Sequence, residues 1–178
     1  MMANPPMASR AGDRILKVNH AGEHGAVAIY SGQLLAGRLW ARALLAELAK
    51  FKAHEENHRA IFARELARRG VRRCRSYWLC GTGGFVLGIL TGLLGQGAMA
   101  TTTVAVERVV LRHLERQLQE LERIDPAAVT AIAAIVGDER EHHDRSAARA
   151  GQSGVLNRML AACVSGATEA VIWIGMRV

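Results

Sequence analysis

The chain has 178 residues, 50% of them apolar and 22% charged, so it can bury a core and is neither a disordered tail nor a disulfide-held mini-protein. Prolines stand only at positions 5, 6 and 126 and aromatics make up 4%, which argues against an all-β fold with frequent turns. The net charge of +7 would suit nucleic acid or anionic lipid and selects neither by itself. Cys74, Cys80 and Cys163 show no paired or metal-like spacing, which points to a reducing compartment.

Residues 1–12 are small and polar, with no apolar run that would mark a secretory signal. They are expected to form a flexible N-terminus ahead of a single domain over 13–178. From there the chain reads as long helices. Residues 15–45 carry Ile15, Val18, Ala26, Ile29, Leu34 and Leu35 at spacings of three and four, and 47–69 continue with Leu48, Phe51, His58, Phe62 and Leu66. Two further helical stretches follow at 101–122 and 127–149. Asp125-Pro126 between them pairs an N-cap acid with proline at the first helical position. A last apolar stretch covers 155–173.

Between the second and third helices lies a run of 31 residues, 76–106, without one charge. It is rich in Trp78, Leu79, Phe85, Leu87, Leu90 and Leu94, interleaved with glycine and preceded by Arg68, Arg69, Arg72, Arg73 and Arg75. By length it passes as a transmembrane candidate, and its basic flank suits anionic headgroups. A single crossing would put Glu55 and His58 on the opposite side from Glu107, although these three are candidates for one site. Two crossings need roughly 40 apolar residues. An interfacial helix or hairpin is therefore expected.

Two Glu-x-x-His pairs occur, Glu55 with His58 and Glu139 with His142, where chance would give roughly half of one. On a helix the two members of such a pair share a face and can bind one ion. Each pair has a glutamate 32 residues upstream, since 55 − 23 and 139 − 107 are both 32. One shift of 84 therefore carries Glu23, Glu55 and His58 onto Glu107, Glu139 and His142, a repeated helix-pair unit. Two helices giving Glu and two giving Glu-x-x-His supply the ligand set of a ferritin-like di-iron or di-manganese bundle. One imidazole per metal favours iron or manganese over calcium, and the lack of thiolates argues against an iron–sulfur centre.

Other residues are expected around this set. His20, His24, His54 and His143 neighbour ligand candidates and either support a ligand or lie exposed. His113 follows Glu107 by six residues and either faces the cavity or not. Tyr30, seven residues after Glu23, returns to the same stripe; it hydrogen-bonds a ligand or relays an electron, or it simply packs in the core. No glycine-rich dinucleotide fingerprint follows a strand.

The stretch Asp13-Arg14-Ile15-Leu16-Lys17-Val18-Asn19-His20-Ala21-Gly22-Glu23, then Ile29-Tyr30-Ser31-Gly32-Gln33, resembles the opening of the 5-demethoxyubiquinone hydroxylase family. Gly97-Ala98-Met99-Ala100, Thr103-Val104-Ala105-Val106-Glu107 and Asp138-Glu139-Arg140-Glu141-His142-His143-Asp144 match as well. The resemblance runs from about residue 13 to the C-terminus. It implies an all-α ferritin-like four-helix bundle with additional apolar membrane-interacting helices. It also implies a di-iron monooxygenase that hydroxylates a polyprenylated demethoxy-quinone or quinol with dioxygen in ubiquinone biosynthesis, with the tail of that substrate expected along Phe85, Leu87, Leu90 or Leu94. The implied metal ligands are Glu23, Glu55, His58, Glu107, Glu139 and His142, with Glu55 and Glu139 bridging two irons. Arg14, Arg177 and Trp173 fall where the family's NADH contacts are proposed, and either NADH or a reduced quinone would be the electron donor. Membrane lipid and a lipid-binding accessory protein are the implied partners, and no nucleic acid is expected. The implied location is peripheral, on the cytoplasmic face of a bacterial membrane or the matrix face of the mitochondrial inner membrane. The chain departs from the family where His24 stands in place of tyrosine and where Leu114 replaces the tyrosine of some relatives.

Three rival readings share part of this evidence. A di-iron tRNA hydroxylase would use the positive charge on phosphates but has no use for the uncharged segment. A ferritin-type iron store needs a cage-forming exterior, which an apolar glycine-rich face would spoil. A non-catalytic membrane scaffold would make the six ligand positions dispensable.

Overall fold

A computed structural model describes residues 7–38, 42–150 and 154–177. Among them are six helices and no strand: α1 (Met7–Gly37), α2 (Arg42–Arg68), α3 (Tyr77–Leu94), α4 (Gln96–Leu121), α5 (Pro126–Ala150) and α6 (Val155–Gly175). Helices α1, α2, α4 and α5 form a ferritin-like bundle. Helix α2 runs antiparallel to α1, with Arg59 reaching His24 at 3.2 Å and Arg69, just past its end, reaching Asp13 at 3.1 Å. Helix α4 also opposes α1, pairing Asn19 with Gln117 and Tyr30 with Glu107. Helix α5 opposes α2, with Lys50 on Glu141 at 2.7 Å. Helices α2 and α4, which stand diagonally across the bundle, thus run the same way, and α3 is the long crossover that joins them.

Two apolar plugs close the bundle from its ends. Leu16, Phe62, Leu66, Leu114, Ile132 and Ile135 pack together at one end. Tyr30, Leu44, Leu48, Phe51 and Met99 pack at the other, and the glutamate and histidine cluster lies between the two. Below the first plug Asp125 caps α5 by accepting the Ala128 N–H at 3.1 Å. The same carboxylate takes a two-pronged bond from Arg69 at 2.6 and 2.7 Å, and Arg69 also holds Glu65. One guanidinium therefore ties α2 to the α4–α5 turn and to α1.

Helix α3 lies parallel to α1, and its glycines let the two backbones touch. Gly84 sits on the Gly25 carbonyl, Gly88 on the Ile29 carbonyl and Gly92 on Gln33 and Ala36, a pairing that advances four residues on each side. Helix α6 lies parallel to α4, with Ser165 on the Ala105 carbonyl at 3.3 Å and Glu169 on His113 at 2.8 Å. The outer faces of these two helices are apolar and exposed: Trp78, Val86, Leu93 and Leu94 on α3, and Val155, Leu156 and Met159 on α6.

Several boundaries differ from the sequence expectation. Helix α1 opens at Met7, inside the stretch expected to be flexible, because the residues after Pro6 contain helix formers and no breaker except Gly12. The break between the first two helices falls after Gly37, not near residue 45, glycine being the usual end of a helix. The uncharged run 76–106 is not one interfacial element. Gly95, at a φ of 97°, ends α3, and residues 96–106 form the first turns of α4. Ala98, Met99, Ala100, Thr101, Thr102, Thr103 and Ala105 are buried there, so this part lacks charge because it is core. The second apolar outer helix is α6. Both α3 and α6 are long and apolar enough to cross a membrane by length and composition.

Candidate metal centre and the cavity that reaches it

The four bundle helices bring six side chains to one point. Glu23 comes from α1, Glu55 and His58 from α2, Glu107 from α4, and Glu139 and His142 from α5, all of them buried. Ligand atoms of Glu23, Glu55, His58 and Glu139 lie within 4.8 Å of one another, and so do those of Glu55, Glu107, Glu139 and His142. Glu55 and Glu139 belong to both groups. His58 Nδ1 lies 3.0 Å from Glu139 Oε1 and 3.5 Å from Glu55 Oε2. His142 Nδ1 lies 3.0 Å from Glu55 Oε1 and 3.7 Å from Glu139 Oε2. Each of these carboxylates thus turns one oxygen to each imidazole, while Glu23 stands only by His58, at 3.7 Å.

These residues fit a pair of metal ions. Two donors held at about 2.1 Å from one ion, at right angles, lie about 3.0 Å apart. Both Nδ1 atoms, Glu55 Oε1 and Glu139 Oε2 are buried without a hydrogen-bond partner despite their short separations. They converge on shared space and do not point at one another, as cation ligands do and as a satisfied polar core does not.

Four buried carboxylates in one place also perturb each other. Burial and the neighbouring Glu55 and Glu139 push Glu23 well above the usual carboxylate range, against the pull of His58, and burial with Glu139 and Glu55 does the same to Glu107. Burial would raise Glu139 as well, but His142 and His58 beside it bring it down to about 2. Burial lowers His142, and Glu139 and Glu55 more than offset that, raising it to about 9. His58 is raised for the same reason by Glu139, Glu23 and Glu55. Without a cation, protons must neutralise this cluster, which is the electrostatic side of the same fit.

The surrounding residues sort clearly. The Tyr30 hydroxyl donates to Glu107 Oε1 at 3.3 Å and its ring closes the site from above with Phe51. His54 Nδ1 meets His142 Nε2 at 3.1 Å, and Asp138 Oδ2 meets His58 Nε2 at 3.0 Å. Asp138 carries no role in the sequence reading, yet the offset of 84 pairs it with His54, since 138 − 54 = 84, and that was its signal. His20 and His24 face away, stacked on Tyr77 at 5.0 and 4.0 Å, and His143 pairs with exposed Asp144. Arg177 lies over Trp173 at 3.7 Å and Arg14 is exposed; neither joins the glutamate cluster.

A cavity of about 330 Å³ separates the α1–α4 wall from the α3–α6 layer and reaches the cluster at Glu23, Glu55, Glu107 and Glu139. Its walls are mostly apolar, with Ile29, Leu79, Leu87, Val110, Val171 and Ile172 among them. The polar groups besides the carboxylates include His113 and the Asn19–Gln117 pair, hydrogen-bonded at 2.8 and 3.2 Å. Of the side chains expected to hold a substrate tail only Leu87 lines this cavity; Phe85, Leu90 and Leu94 point outward because the glycine face of α3 is the one turned to α1.

Comparison with known proteins agrees with this architecture. The chain is 34% identical over 167 residues to the 3-demethoxyubiquinol 3-hydroxylase of Rhodospirillum rubrum, covering 93% of this chain and 78% of that protein. It is 31% identical over 170 residues to the NADPH-dependent 3-demethoxyubiquinone 3-hydroxylase, mitochondrial, of Dictyostelium discoideum, covering 93% and 77%. For the protein of that name from Mus musculus the identity is 36% over 137 residues, covering 74% and 62%. The family described as "Ubiquinone biosynthesis protein COQ7" matches residues 10–175, and the chain belongs to that family.

Proposed function

We propose that this chain hydroxylates the ring of a polyprenylated demethoxy-quinol with dioxygen in ubiquinone biosynthesis, at a two-iron centre on a membrane surface. The observation that carries this reading is the cavity: an apolar passage that starts between two outer helices and ends on four carboxylates. A polyprenyl substrate has negligible concentration in water, so an active site for it must open toward lipid. The names of the relatives and the family support the same chemistry. A tRNA hydroxylase finds no support here, because the passage is lined by hydrocarbon and not by cations.

Glu55 and Glu139 would bridge the two ions, with Glu23 and His58 completing one half and Glu107 and His142 the other. Two ferrous ions held there supply the reduction of dioxygen that ring hydroxylation requires. The residues of the chain do the rest. Tyr30 holds Glu107 in place through its hydroxyl. His113 and the Asn19–Gln117 pair offer the polar contacts on which quinol oxygens can settle, which orients the ring against the Glu23–Glu107 side. His113 is itself fixed by Glu169 of α6. Leu79, Leu87, Val171 and Ile172 exclude water from the ring. The outer faces of α3 and α6 rest in one leaflet, with Arg73 packed over Tyr77 and Trp78 and Arg177 over Trp173 at the headgroup level. Helix α3 does not cross, since it stays welded along α1.

The test is a single-turnover reaction under ¹⁸O₂. Iron-loaded protein in vesicles, reduced either by a nicotinamide nucleotide or by the quinol itself, should add one ¹⁸O to the ring. Dioxygen consumption with no oxygenated quinone from either reductant would refute the assignment.

A further inference from the structure

An imidazole that turns Nδ1 toward a metal ion leaves its Nε2–H to be held from outside, and the partner that holds it sets how strongly the ring donates. The two halves of this site differ in that partner. The Nε2–H of His58 donates to a carboxylate oxygen, Asp138 Oδ2, at 3.0 Å. The Nε2–H of His142 donates to a ring nitrogen, His54 Nδ1, at 3.1 Å. Both partners come from the opposite helix, Asp138 on α5 and His54 on α2, and they occupy the same position of the 84-residue repeat. The six ligands obey the repeat, and the position that backs them does not.

The chemistry of the difference is one of charge. A hydrogen bond to an ionised acceptor is roughly twice as strong as one between neutral groups. It also draws proton density off Nε2 and so makes Nδ1 the better donor to a cation. His54 Nδ1 faces Asp138 Oδ1 as well, at 3.6 Å, so it can accept from His142 only while that nitrogen carries no proton. It is then a neutral acceptor. The side chains of His54 and Asp138 are 23% and 39% exposed, so water reaches both, and the contrast between them rests on acceptor type and not on burial.

We propose that Asp138 and His54 are positioning residues that make the two half-sites unequal: the His58 half, backed by Asp138, takes its metal ion first and holds it more tightly than the His142 half, backed by His54. This rests on the two-metal reading above.

The test titrates metal-free full-length protein with Mn(II), reading the unbound ion by electron paramagnetic resonance. Wild type should bind two ions in steps at least about tenfold apart, the scale on which outer hydrogen-bond partners change metal affinity. Asp138→Asn keeps an oxygen for His58 Nε2–H and removes the charge; it should weaken the tighter step about 10- to 100-fold and leave the other in place. His54→Asp should tighten the weaker step and merge the two. Should Asp138→Asn lose helicity, His54→Asp carries the test alone. Two equal steps in wild type, an unchanged tight step in folded Asp138→Asn, or an unchanged weak step in His54→Asp would each overturn the inequality while leaving the metal centre standing. Failure of wild type to bind Mn(II) at all would overturn both.

Discussion

Replacing Gly32 by alanine should push α3 away from α1 and destabilise the fold by an amount that follows from the contact distances. A Cβ on Gly32 would fall 2.5 Å from the Phe85 carbonyl oxygen and 2.7 Å from the Ile89 nitrogen. Both are backbone atoms, so no rotamer change relieves the clash. Reaching an ordinary contact of about 3.4 Å means moving α3 outward by roughly 0.9 Å, and the movement must be shared by an 18-residue helix docked through Gly84 and Gly88 as well. Overpacking of this kind costs about 1–3 kcal/mol, and immobile neighbours place it toward the upper end. Alanine in a helix interior returns about 0.5–1 kcal/mol, leaving a net loss near 2 kcal/mol. For a chain of this size that is roughly 4–8 °C in Tm. Gly166 of α6 is the control, because nothing lies within 4 Å of its Cβ position, so alanine there should hold or raise Tm. Thermal unfolding followed by circular dichroism in detergent reads both. A Gly32→Ala protein as stable as wild type, beside a well-behaved Gly166→Ala, would show that the α1–α3 contact is not a backbone contact.

Glu139→Ala should lower bound iron from two per chain to below one with helicity retained, since the apolar plugs are untouched; elemental analysis with full occupancy would refute the bridging role. Asp125→Asn should cost about 1.5–3 kcal/mol at neutral pH through the lost ionic bond to Arg69. Arg69 holds the Asp125 carboxyl below its ordinary value, so its contribution is present above the ordinary aspartate value of about 4 and is lost as pH falls through the lower folded value; the Tm gap between wild type and variant should narrow as the pH is taken below about 4. Leu87→Asp, inside the cavity, should impair turnover of long- and short-tailed quinols alike with iron retained. Leu93→Asp or Leu156→Asp, on the outer faces, should weaken vesicle flotation about tenfold or more each, because a buried leucine is worth about 1.5–3 kcal/mol, and should spare turnover of a water-soluble analogue.

The helical class of the chain and the side chains that meet inside the bundle were more legible than the places where helices break. Glu23, Glu55, His58, Glu107, Glu139 and His142 stand out in the chain because metal-binding geometry demands fixed spacings on a helix, and spacing is what a sequence displays. The outer partners were not visible in the same way. Asp138 and His54 reach across helices to His58 and His142, and only the repeat offset hints at that pairing. The uncharged run misled for a related reason. Absence of charge is shared by a membrane face and a buried bundle turn, so 76–106 reads as one segment when Gly95 divides it into an exposed helix and a core one. The direction of each leucine on α3 followed from the glycine face, which pins that helix to α1 and sends Leu90 and Leu94 outward.

The repeat extends further than the ligands. Helices α1, α2 and α3 form one unit and α4, α5 and α6 another, and in each the third helix lies parallel to the first. Glu23 and Glu107, which the shift of 84 relates, both line the cavity where it meets the site. A passage between two outer helices is thus what remains when two three-helix units join through their carboxylates. The units are unequal in how firmly the third helix is held: 28% of α3 is buried but only 6% of the apolar stretch of α6. Glycine contacts fix α3, while the polar contacts of α6 to α4 are Ser165 on the Ala105 carbonyl and Glu169 on Arg112 and His113. The α3–α6 wall of the passage therefore has one side fixed by backbone contact and one side that includes a polar contact. That contact includes a cavity residue, so the seating of α6 and the shape of the cavity meet at the same pair of side chains, Glu169 and His113.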